Sequence, residues 1–542
     1  MKQKHYIDEL TKFGPHHQEK GKGRKNIFLI SMDMVPPEFY DETDGILRTP
    51  NIDSLKSEST WFRNTFSTSP LCTPSRASYL TGRYSYITGN SERSRDGHTI
   101  HLRDSDIIWP EYLKSSGYHV RHVGKSHVGK HKFIDVFSEN DSPWDRWSPP
   151  WYDDDDFIEF LNRKGLQRYS FARSIHGANW KGEGKGNDYG GWLADQNGKP
   201  FPKNAVYPAY LVEKAKNAVE SRKDREDPIY LQLDFFGPHQ PFAIPYGFEE
   251  REKQIREQLT LPQSYLDWKE SGFGEIEEDP RVYNMYRQNW GLYDEKTLID
   301  YKVANILQYE LLDQMVGEFL DYLKASRLYE DSWIFFIADH GEMNGEKGCI
   351  DKGAYLNPQV LQVPLIMKPP KDDTLQELEY ERGTAVSQIC SLLDICPTVL
   401  EIAGIHTDDH LDGQSLLDTL RQVKADSGSR RTEEFPLLAD IWNHVIPNPA
   451  VSSIFEASDG NIYQITYNMT SAVDELYRIP NVPKLHNCMY DEKYAAIRKE
   501  ALHHLDAVLA DDTRWQAYSG YFRLQYAEEL NIEVEDTQKF FK

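Results

Sequence analysis

Four short apolar runs, each ending in a polar cluster, constrain the fold of this chain more than any other feature. Residues 26–32 read NIFLISM and stop at Asp33, and residues 117–123 read GYHVRHV and lead into Gly124, Lys125, Ser126 and His127. Residues 228–233 (PIYLQL) run on through Asp234 to Pro238 and His239, while residues 332–338 (SWIFFIA) stop at Asp339 and His340. An apolar run of strand length without polar alternation is a strand covered on both faces, as in a parallel sheet. Between the runs lie helical patterns. The clearest spans 301–323, where Val303, Ile306, Leu307, Leu311, Leu312, Met315, Val316, Phe319 and Leu320 recur at helical spacing. Strands alternating with helices predict an α/β fold, a large mostly parallel sheet sandwiched by helices. Such sheets bind ligands beyond the carboxyl ends of their strands, so Asp33, Lys125, His127, His239, Asp339 and His340 are expected along one edge.

A chain of 542 residues exceeds one compact core. Residues 1–25 read as a polar, basic arm and 26–430 as the main domain. A polar stretch near 423–434 marks a boundary to a smaller α+β unit over 431–542. There, alternating runs at 451–456 and 462–467 predict a small antiparallel sheet, with helices at about 491–509 and 512–530. Residues 139–205, rich in Trp, Tyr, Asp and Gly, read as an insertion near the site. Its aromatic side chains (Trp144, Trp147, Trp151, Tyr152) are suited to stacking on a sugar or aryl ring, with a plain surface loop as the equal alternative. The four aspartates Asp153 to Asp156 read as solvated, and residues 245–300 show no clear pattern.

With 62 Lys and Arg against 86 Asp and Glu, the net charge of −24 argues against nucleic acid as a partner. An anionic substrate would need a locally basic pocket. No stretch has the eighteen or so unbroken apolar residues of a membrane span. The first 25 residues lack an apolar leader core, so a cytoplasmic location is expected. Five cysteines (Cys72, Cys349, Cys390, Cys396, Cys488) in no metal-finger spacing suggest a reduced compartment, four of them packing residues.

Residues 69–84 read SPLCTPSRASYLTGRY. A short helix is expected after Cys72, with Pro74 in its first turn and Gly82 at its end. At the positive end of that helix the Cys72 thiol is expected to be biased toward thiolate, with Arg76 one turn further in. Ser78 stands where a phosphatase-type cysteine loop would place arginine.

The pattern C-x-P-S-R-x-x-x-L-T-G-R, met by Cys72, Pro74, Ser75, Arg76, Leu80, Thr81, Gly82 and Arg83, resembles the signature of the type I sulfatases of the alkaline phosphatase superfamily. Gly124-Lys125-Ser126-His127 resembles that family's second signature. The resemblance implies a sulfuric ester hydrolase in which a maturation enzyme converts Cys72 to formylglycine, whose hydrated aldehyde attacks sulfur. It implies Asp33, Cys72, Asp339 and His340 as metal ligands, with Arg76 holding the modified residue. Lys125 and Lys352 would contact the sulfate, and His127 would position or deprotonate the nucleophile. His239 would bind near the leaving group as general acid, a role suited to an ordinary imidazole near neutrality.

Two departures qualify this likeness. Met34 stands where many sulfatases have a second aspartate, and Asp339-His340 replaces a common Asp-Asn pair. The Asp-His form resembles choline sulfatases, iduronate sulfatases and phosphonate monoester hydrolases. Ca²⁺ is expected from the family, with Mg²⁺ as one alternative and Mn²⁺ as another because imidazole is a poor calcium ligand but a good one for Mn²⁺ or Zn²⁺. The implied substrate is a small sulfated molecule, a carbohydrate first. The alternatives are a phosphonate monoester or phosphodiester hydrolase, and a non-catalytic sulfated-glycan binding protein. His119, His122 and His131 read as hydrogen-bonded core histidines.

Overall fold

The computed structural model describes residues 24–40, 45–84, 102–103, 105–129, 136–137, 148–149, 154–179, 184–222, 226–245, 247–371, 382–424, 436–471, 473–480, 485–511 and 515–533. Its strands are β1 (Asn26–Asp33), β2 (Thr60–Phe66), β3 (His119–Gly124), β4 (Ser170–Ala178), β5 (Lys185–Ala194), β6 (Ile229–Pro238), β7 (Phe242–Ile244), β8 (Ser332–Ala338), β9 (Gln362–Val363), β10 (Leu365–Lys368), β11 (Ala385–Ser391), β12 (Leu437–His444), β13 (Ile446–Glu456), β14 (Ile462–Asn468) and β15 (Glu475–Ile479).

The central sheet has the order β11-β2-β10-β8-β1-β6-β3, with β9 beside β2. β8, β1, β6 and β3 are mutually parallel, and β10 enters antiparallel between β8 and β2. The four apolar runs are therefore four adjacent strands, and their carboxyl ends fall side by side. Every residue of β1, β6 and β8 is buried, as strands covered on both faces require. One cover is the helix Glu295–Ala325, capped by Asp294, whose carboxylate accepts from Thr297 N at 2.8 Å. Its Phe319 meets Phe28 of β1 edge-to-face with ring centroids 5.9 Å apart. On the other face Trp109 packs on Tyr230 of β6 at 4.6 Å.

β6 is longer than the run that predicted it. Ser31 pairs with Asp234 but Asp33 with Pro238, so four residues of β6 span two of β1. That bulge carries the chain past the end of β1 and places His239 over it.

The C-terminal strands form the antiparallel sheet β12-β13-β14-β15. Leu437, Ala439, Ile441, Ala450 and Ile454 join the main core, while Leu438, Val451, Phe455, Tyr463 and Ile465 pack with residues of the helices Ala495–Asp511 and Gln516–Gln525. This alternation makes the sheet a filling between the main body and its own helices.

Of the 139–205 segment, β4 and β5 form a hairpin that extends through β7 into a three-stranded sheet. Trp144, Trp147, Trp151, Tyr152 and Asp153 lie outside the described residues, as do His131, residues 1–23 and 425–435 of the boundary stretch. Asp154 caps the helix Asp155–Arg163 through Phe157 N (3.1 Å), and Asp156 pairs with Lys214 at 2.6 Å. Residues 245–300 hold three short helices, Glu249–Gln258, Gln263–Glu270 and Arg281–Trp290. Each is about three turns or less, too short for its apolar period to stand out among so many charges. All five cysteines are buried free thiols, and no described helix is long and apolar enough to cross a membrane.

Candidate active site

The helix Cys72–Thr81 starts on Cys72 itself. Pro74 is its third residue, where a missing N–H costs nothing because the first turn has no carbonyl partners. Gly82 ends the helix at φ 68°, and a Cβ there would lie 2.8 Å from Cys396 Cβ, so both conformation and space demand glycine. Ser75 Oγ donates to Asp339 O and accepts from Ser67 Oγ at 2.9 Å, tying the helix to the end of β8.

Cys72 faces the ends of β1 and β8. One ligand atom each from Asp33, Cys72, Asp339 and His340 lies within 4.8 Å of the others, and all four residues are buried. His340 Nε2 is 3.1 Å from Cys72 Sγ, which is 3.7 Å from Asp33 Oδ1. His340 Nδ1 donates to Gly341 O at 2.9 Å, which leaves Nε2 with its lone pair toward the cluster. Two carboxylates, an imidazole nitrogen and a sulfur at this spacing fit a divalent cation.

Cationic side chains surround that cluster. Arg76 Nε donates to Asp339 Oδ2 and Arg76 Nη1 to Lys125 O, both at 2.8 Å, with Asp33 at 3.6 Å and Asp234 at 3.7 Å. Lys125 Nζ pairs with Asp33 and lies 3.5 Å from Cys72 Sγ. Burial pushes the Asp33 carboxyl up, but the Lys125 ammonium first, with the Arg76 guanidinium, outweighs it and holds Asp33 well below the usual carboxylate range. His127, left-handed at φ 54°, is kept neutral by burial and by Lys125 and Arg76. Lys352 Nζ donates to His239 Nε2 at 2.6 Å and sits 3.9 Å from Met34 Sδ. The chain thus buries Asp33, Cys72, Arg76, Lys125, His127, His239, Asp339, His340 and Lys352 together, three cations among them despite an overall charge of −24.

Two electrostatic expectations change. The unmodified Cys72 thiol is not biased toward thiolate: burial, reinforced by Asp33, pushes it up to about 12. The helix N-terminus is a partial charge, and desolvation beside a full carboxylate exceeds it. His239 does not titrate near neutrality either. Burial, with Lys352 beside it, lowers it to about 3, so the imidazole is neutral and the proton of the pair sits on Lys352.

Several contributors were not legible. Asp351 Oδ1 accepts from Lys352 Nζ at 3.0 Å, and its only signal is adjacency to Lys352. Asp234 accepts from His122 Nε2 at 2.8 Å and from Gln232 Nε2 at 2.7 Å beneath Arg76. The signal for that pair was polar residues at interior positions of two otherwise apolar runs.

A family model described as Sulfatase matches residues 25–405, more than half of the chain. The chain belongs to the sulfatase family. A second model, N-sulphoglucosamine sulphohydrolase, C-terminal, matches residues 345–511, which include β12 to β15 of this sulfatase. The sulfatase YidJ of Escherichia coli is 24% identical over 466 residues, covering 84% of this chain and 80% of its own. Human iduronate 2-sulfatase is 27% identical over 413 residues, covering 70% and 69%. Among solved structures, the phosphonate monoester hydrolase of Agrobacterium radiobacter superposes with a TM-score of 0.65 at 18% identity, covering 90% of this chain and 96% of that one. This sulfatase is an enzyme of sulfate ester hydrolysis, on a fold shared with the phosphonate ester hydrolases.

Proposed function

We propose that this sulfatase hydrolyses a sulfate monoester of a small carbohydrate, using Cys72 matured to formylglycine as the nucleophile and a divalent cation beside it. The supporting observation is the placement of Cys72 within 4.8 Å of Asp33, Asp339 and His340 at the start of a helix. These three, with the side chain of residue 72, would hold the cation, which when bound polarises a sulfuryl oxygen as a Lewis acid. Calcium is the family expectation. The His340 imidazole suits Mn²⁺ better, with Mg²⁺ third.

The chain's own side chains supply the rest. Lys125 and Lys352 bring ammonium donors to sulfuryl oxygens, where fixed positive charge stabilises the transition state. Arg76 locks Asp339 and the Lys125 carbonyl so that neither ligand nor lysine drifts. His127, neutral, accepts a proton from residue 72. The Lys352–His239 pair delivers a proton to the leaving oxygen, from Lys352 rather than from His239. A carbohydrate substrate is supported by the iduronate 2-sulfatase among the relatives.

A phosphonate monoester or phosphodiester hydrolase is the second reading, favoured by Met34 at the second-aspartate position and by the shared fold. The test compares matured, metal-loaded enzyme on 4-nitrophenyl sulfate and a panel of sulfated sugars with phenyl phosphonate and bis(4-nitrophenyl) phosphate. Sulfate turnover above both others is expected. The reverse order would replace the first reading with the second, and binding of sulfated sugars without any turnover would leave a glycan-binding protein.

A further inference from the structure

The Lys352–His239 pair is gripped by a residue assigned no role so far. Asp351 Oδ1 accepts from Lys352 Nζ at 3.0 Å and from Lys352 N at 2.8 Å. Its Oδ2 accepts from Gln240 Nε2 at 2.5 Å, and the Gln240 carbonyl oxygen in turn accepts from His239 Nδ1. A single carboxylate therefore holds the lysine directly and the histidine through one neighbour. Because His239 Nδ1 keeps its proton on Gln240 O, Nε2 has only a lone pair to offer, and it points at Lys352 Nζ.

The backbone of Asp351 is left-handed at φ 61°, which a residue with a Cβ adopts only where its surroundings hold it. Glu342 does the holding. Its Oε1 accepts from Asp351 N at 2.5 Å and from Asn344 N at 3.0 Å. Its Oε2 accepts from Tyr301 Oη at 3.0 Å and Asn305 Nδ2 at 3.1 Å on the helix Glu295–Ala325. Met343 N closes the turn on Asp351 O at 3.0 Å. A conformation held by this many bonds aims Lys352 rather than merely spacing it.

Lys352 is 3% exposed and Asp351 5%. An ammonium so buried loses its proton to desolvation unless a carboxylate opposes that. Asp351 is in contact to oppose it, whereas Lys125 is served by Asp33.

We propose that Asp351 is a positioning residue that keeps a proton on Lys352 Nζ and aims it at the leaving oxygen, fitting the site to sulfate esters of weakly acidic alcohols such as sugar hydroxyls. The inference rests on the sulfate-ester reading and narrows it. In the step, the oxygen of matured residue 72 bonds to sulfur and gives its proton to His127, while the electron pair of the breaking S–O bond goes to the leaving oxygen, which takes the Lys352 proton. Water restores the Lys352 proton and takes the His127 proton after the alcohol leaves. A nitrophenolate leaves well unaided; an alkoxide does not. The contribution of Asp351 must therefore grow as the leaving group becomes more basic.

The test is D351N in matured, metal-loaded enzyme, assayed on aryl sulfates from 4-nitrophenyl to 4-methoxyphenyl sulfate. A loss of about tenfold or less is expected at the nitrophenyl end and about 10²-fold or more at the methoxyphenyl end. The same substitution on a K352A background is expected to add no leaving-group dependence. Equal losses along the series, or a dependence that survives in K352A, overturn the proposal. Should D351N fail to fold, Q240L removes the bond to Oδ2, with the 3.4 Å bond from Tyr301 Oη, but leaves the Lys352 contact, and is expected to give a smaller loss with the same trend. A flat loss in Q240L overturns the proposal too. Wild-type enzyme that cleaves phenyl phosphonate but none of the aryl sulfates would instead reject the sulfate-ester reading beneath it.

Discussion

His340 Nε2 lies 3.1 Å from Cys72 Sγ, although 268 positions separate the two residues in the chain. The contact exists because β8, which delivers His340, neighbours β1, and the helix beginning at Cys72 is tied to the end of β8 through Ser75. The proposed nucleophile and metal ligands are thus parts of one packed unit, and perturbing either is expected to register in the other.

Replacing Cys72 removes the proposed nucleophile. C72A and C72S are expected to lower kcat by at least about 10³-fold while the protein stays folded. Intact-mass measurement of the active wild type should fall about 18 Da below the sequence mass, the change from thiol to aldehyde. Full activity at the unmodified mass would rule out formylglycine here.

Metal removal should cost stability as well as activity. Without a cation, the buried carboxylates Asp33 and Asp339 rely on Arg76 and Lys125 for counter-charge. Dialysis against EDTA is expected to lower the Tm by a few degrees. Cation at a hundred times its Kd should restore about 2.7 kcal/mol. Titration with Ca²⁺ and Mn²⁺ separately identifies the preferred ion, and D339N should abolish the response to both.

Arg76 is the counter-charge to three buried carboxylates, Asp33, Asp234 and Asp339. Removing one partner of a buried ionic set leaves the others uncompensated and costs about 3–5 kcal/mol. R76L is expected to melt well below wild type and R76K to fall between them, because lysine keeps the charge but not the fork. Equal melting temperatures for R76L and wild type would contradict this arrangement.

Acid should weaken the C-terminal unit through His504. This imidazole stacks on Phe455 at 4.5 Å, with Nε2 2.9 Å from Ser453 Oγ, and burial lowers it to about 4. A histidine whose folded value is depressed takes up its proton more readily when unfolded. Its full contribution is therefore present above about pH 6.5 and is lost as pH falls from there toward 4. The loss amounts to a few kcal/mol. Thermal melts at pH 7.5 and pH 5 should show a smaller drop for H504Q than for wild type.

The parallel sheet and the edge on which the site lies were legible because strand burial is a local property. A run such as residues 26–32, apolar without alternation, has few other folds open to it. The helix over 301–323 was legible for the same reason, its period being written in consecutive side chains. Helices such as Gln263–Glu270 were not, since two turns hold too few apolar positions to show a period. The bulge in β6 was invisible, because register against β1 depends on two strands some two hundred residues apart.

Sequence alone indicated which residues come together: the buried strands end in Asp33, Lys125, His127, His239, Asp339 and His340, and the resemblance to the sulfatase signature added Cys72, Arg76 and Lys352. Only the tertiary structure decided their protonation. Burial and neighbouring charge are sums over groups from distant segments, and they raise the Cys72 thiol and hold His239 neutral beside Lys352. The same sums make Asp351 part of the site: its partners Gln240, Glu342 and Lys352 meet only where β6 and β8 end together.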